Sequence, residues 1–375
     1  MQTLKDINIE NKRVLLRVDF NVPLDKNNKV SDDTRIQEAL PTIKYLLQNQ
    51  AKQVIIMAHF KRPKGKVNEE MRLAPVATKL QELMAEPVAY SKDLTVPAGK
   101  LVLLENIRFY PGEEKNDPEF AKQLAALGDI YVNDAFGTAH RAHASTEGLA
   151  HLLPHAAGLL MEKEVANLKK VMAHPEKPVV AIIGGAKIST KIQLIKNLLP
   201  KVDYMLLGGA LANTVLLAQN HHIGNSLVEK ELAGTIKDLL SNKLRLPVDL
   251  ITALKPEAGQ KINVRPVGIN IDSEMILDLG PDTLKIYRDL ILKAKTIIWN
   301  GPMGLFEVPD FASGTKAVAQ AVADSTAYSV IGGGETVEAV KTMGLADKIS
   351  FISTGGGAML EFLEGKNLPG VVALN

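Results

Sequence analysis

The chain has 375 residues, 46% of them hydrophobic and 23% charged, enough for two domains that each bury a core. Lys+Arg 44 against Asp+Glu 42 leaves a net charge of +2, so no global field draws the chain to nucleic acid or to an acidic membrane surface. With no cysteine, disulfides, thiolate metal sites and a cysteine nucleophile are excluded. The opening segment MQTLKDINIENKR lacks the apolar core of a secretory signal, and no run approaches the ~18–20 apolar residues of a membrane span. The expectation is a cytoplasmic protein.

Short aliphatic runs recur along the chain, separated by stretches with helical spacing. The first half carries them at 14–22, 53–60, 101–106 and 130–136, with amphipathic segments at 34–48, 74–83 and 119–126 between them. The runs are continuous rather than alternating, as in strands buried on both faces, and repeated βα units predict parallel sheets flanked by helices. At the C-terminal end of each run, where ligands bind in open α/β sheets, polar residues take over. Asp19 and Asn21 follow the first run, on one side of an extended chain. The segment SDDTRIQEAL then predicts an N-capped helix with Arg35 in its first turn. A cation there opposes the helix dipole, which suggests that Arg35 serves an anion. His59 and Arg62 follow the second run, Arg108 the third and Arg141 the fourth. Seven of the ten arginines lie at or before Arg141, and Arg is the side chain suited to bidentate capture of carboxylate or phosphate.

A helix over 161–173 followed by the loop HPEKP predicts a domain boundary. Beyond it the runs at 179–185, 204–209, 248–253, 296–302, 328–334 and 350–356 end in glycine-rich turns or in Asn300-Gly301-Pro302, except for 248–253. GGAKISTK is expected to open a helix with Lys187 and Lys191 on one face, an arrangement that calls for an anion. GGGETVEAV brings Gly333, Gly334, Glu335 and Thr336, and WNGPMGLFE brings Asn300 and Glu307 beside the only Trp. Three strand–glycine–helix turns point to a nucleotide-sized anionic ligand. Neither the P-loop nor the dinucleotide fingerprint occurs, which argues against an NAD-linked dehydrogenase. A two-lobed solute-binding protein would need neither two phosphate-type sites nor this location. The His140/His143 and His151/His155 spacings alone give little support to a metal site.

Taken together and in order, RVDFNVPL, DDTRI, ENIRFYPGEE, NDAFGTAHRAHAST, GGAKISTK, WNGPMGLFE and STGGGA closely resemble the phosphoglycerate kinase family, from about residue 5 to 370. The resemblance implies an α/β chain of two Rossmann-like lobes joined by a hinge: residues 1–160 with a returning tail at about 363–375, and residues 161–362. It implies a monomer that transfers the acyl phosphate of 1,3-bisphosphoglycerate to ADP, giving 3-phosphoglycerate and ATP, with Mg²⁺ accompanying the nucleotide. By that resemblance Asp19, Asn21, Arg35, His59, Arg62, Arg108 and Arg141 bind the phosphoglycerate. Lys191, with Lys187 nearby, contacts the transferred phosphoryl group; Asn300 adjoins the nucleotide and Glu307 meets the ribose. Gly333, Gly334, Glu335 and Thr336 hold the phosphate–metal end, and Arg35 and Lys191 are the catalytic pair. Two positions depart from the family pattern: Glu335 stands where Asp is usual, and Lys61 where Gly is usual.

Overall fold

A computed structural model describes all 375 residues. Two compact units are formed, Met1–Ala166 with Asn367–Asn375, and Asn167–Lys366. The division falls inside the helix Leu159–Ala173.

In the first unit the four aliphatic runs become β1 (Arg13–Arg17), β2 (Gln53–Met57), β4 (Leu101–Leu103) and β5 (Ile130–Asn133), and two short strands outside those runs, β3 (Val88–Tyr90) and β6 (His155–Ala157), complete the sheet. All pair in parallel, in the order β3-β4-β2-β1-β5-β6. The connecting helices are α1 (Thr34–Gln48), α2 (Ala74–Met84) and α3 (Pro118–Ala125), and α4 (Leu159–Ala173) follows β6. Val14, Leu16, Val54, Ile56 and Val132 project from the sheet onto Ile36, Ile43, Val76 and Leu80, closing one apolar core. The connection after β1 runs to one neighbour and β5 arrives on the other side. The crevice beyond their carboxyl ends is therefore the switch point at which such sheets bind ligands. The C-terminal tail belongs to this unit: Gln2 N donates to Leu374 O at 2.8 Å and Gly370 N to Ala139 O at 2.8 Å.

The second unit carries β7 (Val179–Ile183), α5 (Ile192–Leu198), β8 (Tyr204–Leu207), α6 (Gly209–Ala218), α7 (Ala233–Lys237) and β9 (Leu244–Arg245). It continues through β10 (Asp249–Ala253), β11 (Asn263–Pro266), β12 (Met275–Leu279) and α8 (Pro281–Lys293). Then come β13 (Thr296–Asn300), α9 (Ser313–Asp324), β14 (Tyr328–Gly332), α10 (Gly334–Thr342), β15 (Phe351–Ile352) and α11 (Gly357–Leu363). The six-stranded sheet has the parallel order β15-β14-β13-β7-β8-β9, again with the switch beside its central strand, here β7. Val180, Ile182, Ile297, Trp299 and Ile331 pack onto Tyr287, Ile291, Val318 and Val322.

One run departs from the parallel expectation. The segment at 248–253 forms β10, the centre of a separate antiparallel sheet ordered β11-β10-β12. The connection from β10 to β11 holds no helix and is too short for the crossover that a parallel return requires.

Candidate active site

In the first unit, the polar residues beyond β1, β2 and β4 converge. Arg35 Nη1 donates to Asp19 Oδ2 at 2.9 Å, and Asn21 N donates to Asp19 Oδ1 at 3.1 Å. Asp33 occupies the cap position of α1 but makes no side-chain cap bond, so the helix start gives up that expected stabilisation. Asp32 instead accepts from Thr34 N at 2.9 Å. His59 is buried, with Nδ1 4.0 Å from Asp19 Oδ1. Lys61 N donates to Asn21 Oδ1 at 2.9 Å, and Lys61 O accepts from Arg108 Nη1 at 3.0 Å. One backbone residue thus ties two predicted substrate ligands together.

Arg108 is buried, its Nε has no hydrogen-bond partner, and Glu114 Oε1 lies 3.4 Å away. Burial, then the nearby Arg17 charge, push its guanidinium down to about 10. A buried cation whose Nε makes no hydrogen bond suits the binding of an anion. Arg141 donates through Nε to His140 Nε2 at 3.2 Å. Arg62 is exposed and makes no contact with the others.

Three residues beneath this cluster went unselected in the sequence reading. Arg17 is fully buried: Nε donates to Ser145 Oγ at 2.8 Å, Nη1 donates to Val18 O, and Nη2 lies 3.4 Å from His59 Nδ1. Glu113, also fully buried, accepts from Ser145 Oγ at 2.6 Å and from Ser145 N at 3.0 Å. His143 is pushed down to about 3 by burial and by Arg108, and His59 is held well below its usual range by burial and by Arg17. Both imidazoles are neutral at pH 7, so the positive charge of the site comes from its arginines. The available signal was a charged residue inside an otherwise aliphatic strand at Arg17.

In the second unit, the ends of β7, β8 and β13 meet through backbone. Gly301 takes φ +95°, and a Cβ there would stand 2.2 Å from Gly184 O. These glycines therefore serve close packing of turn on turn. Gly185, at φ +118°, has open space within 4 Å and is free to approach a ligand. Lys191 Nζ donates to Asn300 Oδ1, and Asn300 Nδ2 donates to Gly332 O at 2.8 Å. Burial lowers the Lys191 ammonium to about 8, against the attraction of Glu335 and Glu364. Gly301 N donates to Thr336 Oγ1 at 2.7 Å, joining the β13 turn to the start of α10.

The expected helical pairing of Lys187 with Lys191 is not formed. Residues 186–191 make a bend and turns, α5 starts only at Ile192, and Lys187 is exposed while Lys191 reaches inward. The spacing of four places two side chains on one face only inside a helix, and here the helix has not begun.

Beside the glycine turns lies a cavity of about 340 Å³, mostly apolar, lined by Gly185, Leu227, Leu250, Met303, Glu307 and Glu335 among others. Glu307 and Glu335 are its exposed carboxylates; Glu335 sits in the first turn of α10, after Gly333 at its cap and Gly334 at its start. An apolar slot with carboxylates at its edge suits a heterocyclic base. No group of three His, Asp or Glu gathers to hold a metal by protein ligands alone. A single exposed carboxylate such as Glu335, in the first turn of α10, nevertheless fits Mg²⁺, which is commonly held by one or two carboxylates plus substrate phosphates.

Comparison with known proteins covers almost all of the chain. The family model for phosphoglycerate kinase matches residues 4–366. Curated relatives include the phosphoglycerate kinases of Herpetosiphon aurantiacus, 55% identical over 100% of this chain and 99% of that one, and of Moorella thermoacetica, 54% identical over 99% and 98%. Among solved structures, phosphoglycerate kinase from Coxiella burnetii superposes with a TM-score of 0.92 at 45% identity, covering 99% of this chain and 98% of its own. The Pyrococcus horikoshii enzyme gives 0.85 at 34%, covering 100% and 98%.

Proposed function

The chain belongs to the phosphoglycerate kinase family, and from that premise we propose how its residues share the work. The reaction is the reversible transfer of the acyl phosphate of 1,3-bisphosphoglycerate to ADP, giving 3-phosphoglycerate and ATP. In the ATP-forming direction the leaving group is a carboxylate; in reverse the attacking carboxylate is already ionised at pH 7. No general base is required. Catalysis reduces to in-line positioning and to stabilising charge on the three equatorial phosphoryl oxygens.

Arg35, Arg108 and Arg141 take the anionic groups of the phosphoglycerate, Asp19 and Asn21 orient it, and neutral His59 donates or accepts at the floor. Arg62, exposed in this conformation, completes the site when substrate is present. Asn300 presents Lys191 to the nucleotide phosphates and the travelling phosphoryl group, with Lys187 available at the outer edge. Glu307 meets the ribose, and Gly333, Gly334, Glu335 and Thr336 hold the terminal phosphate end. Mg²⁺ bound with the nucleotide would supply charge neutralisation there, with Glu335 as the residue that would hold it. Arg35 and Lys191 stabilise the transferring group from its two sides once the lobes close and exclude water that would hydrolyse the acyl phosphate. We place the enzyme in the cytoplasm as a monomer; no helix is long and apolar enough to cross a membrane.

The observation that carries this division is the cluster of buried and part-buried arginines in one unit, with Lys191 bonded to Asn300 and an apolar cavity edged by Glu307 and Glu335 in the other. Coupled ATP formation from 1,3-bisphosphoglycerate and ADP under a Mg²⁺ titration tests it. Turnover lowered about 10²–10³-fold in Arg35→Ala and Lys191→Met is the expected result. Full turnover in either variant would overturn the assignment.

A further inference from the structure

We propose that Glu113 is a positioning residue of the phosphoglycerate site, acting through the Ser145 hydroxyl to fix Arg17 and the 143–146 loop in the arrangement that receives substrate. The inference rests on reading the Asp19–Arg35–His59–Arg108 cluster as that site.

The direction of the hydrogen bonds carries the argument. Ser145 Oγ has one proton, and at 2.6 Å from Glu113 Oε1 that proton is committed to the carboxylate. Its lone pairs are thereby left to accept, and Arg17 Nε donates to them at 2.8 Å. Glu113 Oε2 also accepts from Ser145 N at 3.0 Å, and Glu113 O accepts from Ala144 N at 3.0 Å. One residue therefore clamps Ala144 and Ser145 at three points. The loop so held carries His143 and follows directly on Arg141.

Electrostatics point the same way. Glu113, Arg17, His59, His143 and Arg108 are all buried. Two guanidinium groups out of water need a counter-charge, and Glu113 is the buried carboxylate among them. Glu113 is fully buried, so its influence on binding passes through Ser145 and Arg17. At the far end Arg17 Nη2 lies 3.4 Å from His59 Nδ1, and His59 faces Asp19. The line from Glu113 thus ends on residues assigned to the substrate.

The test is Glu113→Gln, which keeps the shape but must turn a donor toward either Ser145 N or Ser145 Oγ. The expected result is a rise of about tenfold in KM for 3-phosphoglycerate, with KM for ATP unchanged within about twofold. Ser145→Ala removes the hydroxyl, and with it both the bond to Glu113 Oε1 and the link to Arg17, while the backbone bonds from Ala144 N and Ser145 N to Glu113 remain; it should move the same KM. In the double variant the two effects should fail to multiply, because both cut one line. An unmoved KM in Glu113→Gln, or multiplicative effects, would overturn the proposal. If Glu113→Gln does not fold, Ser145→Ala decides by the same split between the two substrates. Arg35→Ala separates the two levels of the reading. If it leaves KM for 3-phosphoglycerate unmoved, the site assignment itself is wrong. If it raises that KM while Glu113→Gln and Ser145→Ala are silent, only the positioning role fails.

Discussion

The Lys191 ammonium donates to the Asn300 side-chain oxygen while the Asn300 amide is fixed by Gly332 O at 2.8 Å, so the lysine that would meet the phosphates is aimed by the end of the central β13–β14 pair. Removing the ammonium in Lys191→Met should lower kcat about 10²–10³-fold, the range found for a lost transition-state donor. KM for 3-phosphoglycerate should stay within about twofold. Asn300→Ala leaves the charge but frees its direction, and about a tenfold loss of kcat is expected. Steady-state kinetics with each substrate varied in turn separates these effects.

The same lysine should make nucleotide binding depend on pH. Burial sets its pKa at about 8, below its ordinary value, because the charged form is the one disfavoured out of water. A lowered lysine is protonated below about pH 8 and neutral above it. ADP, as an anion, is held best by the protonated form, so its Kd should rise as pH goes from 7 to 9 and proton uptake should accompany binding in that window. Calorimetry in buffers of different ionisation enthalpy measures both. Lys191→Met should bind more weakly and show little change between pH 7 and 9; an equally steep profile in that variant would place the titration elsewhere.

Much of this arrangement is legible in the sequence, for identifiable reasons. Strands buried on both faces are continuous apolar runs, so the residues just past Arg17, Met57, Leu103 and Asn133 announce themselves as a change of chemistry. Helix α1 was readable over its whole length from its apolar spacing. Direction was not readable: β10 has the composition of a parallel core strand, and only its short connection to β11 shows that it must return antiparallel. The pairing of Lys187 with Lys191 failed because spacing has meaning only once the local conformation is known. Arg17 and Glu113 escaped notice because a buried charge looks like a solvated one until its partner is known. Arg17 finds Ser145 across 128 positions.

Lys61 holds a left-handed backbone, φ +54°, where the family pattern has glycine. Its N–H and C=O reach Asn21 and Arg108, so this conformation is what places the two side chains. A non-glycine residue there costs roughly 1–2 kcal/mol. Glycine would remove that strain but lose about 0.4–1 kcal/mol through the greater freedom of the unfolded chain. Lys61→Gly should therefore be neutral to stabilising, by at most about 1.6 kcal/mol. Lys61→Val should destabilise by about 1–3 kcal/mol, since a β-branched side chain tolerates positive φ least. Urea unfolding measures both, and Lys61→Val should also raise KM for 3-phosphoglycerate.

Glu335 stands in the first turn of α10 with its exposed side chain on the apolar cavity of the second unit, one methylene longer than the Asp of the family pattern. The extra reach matters only if the carboxylate has a fixed point to meet, because Mg²⁺ accepts little distortion of its octahedral shell. Gly334 at the first helical position gives the backbone before it room to adjust, with nothing within 4 Å of where its Cβ would lie, whereas Gly333 at the cap packs close to Asn300, whose Nδ2 would stand 2.9 Å from a Cβ there. Glu335→Asp should accordingly stay active, with the Mg²⁺ concentration for half-maximal rate moved less than about threefold. Glu335→Ala removes the charge and should raise that concentration about tenfold, while KM for 3-phosphoglycerate stays unchanged. A Mg²⁺ titration at fixed ATP reads all three proteins. Identical midpoints in wild type and Glu335→Ala would show that the metal is carried by the nucleotide phosphates without this carboxylate, and would leave Lys191 as the main charged contact at that end.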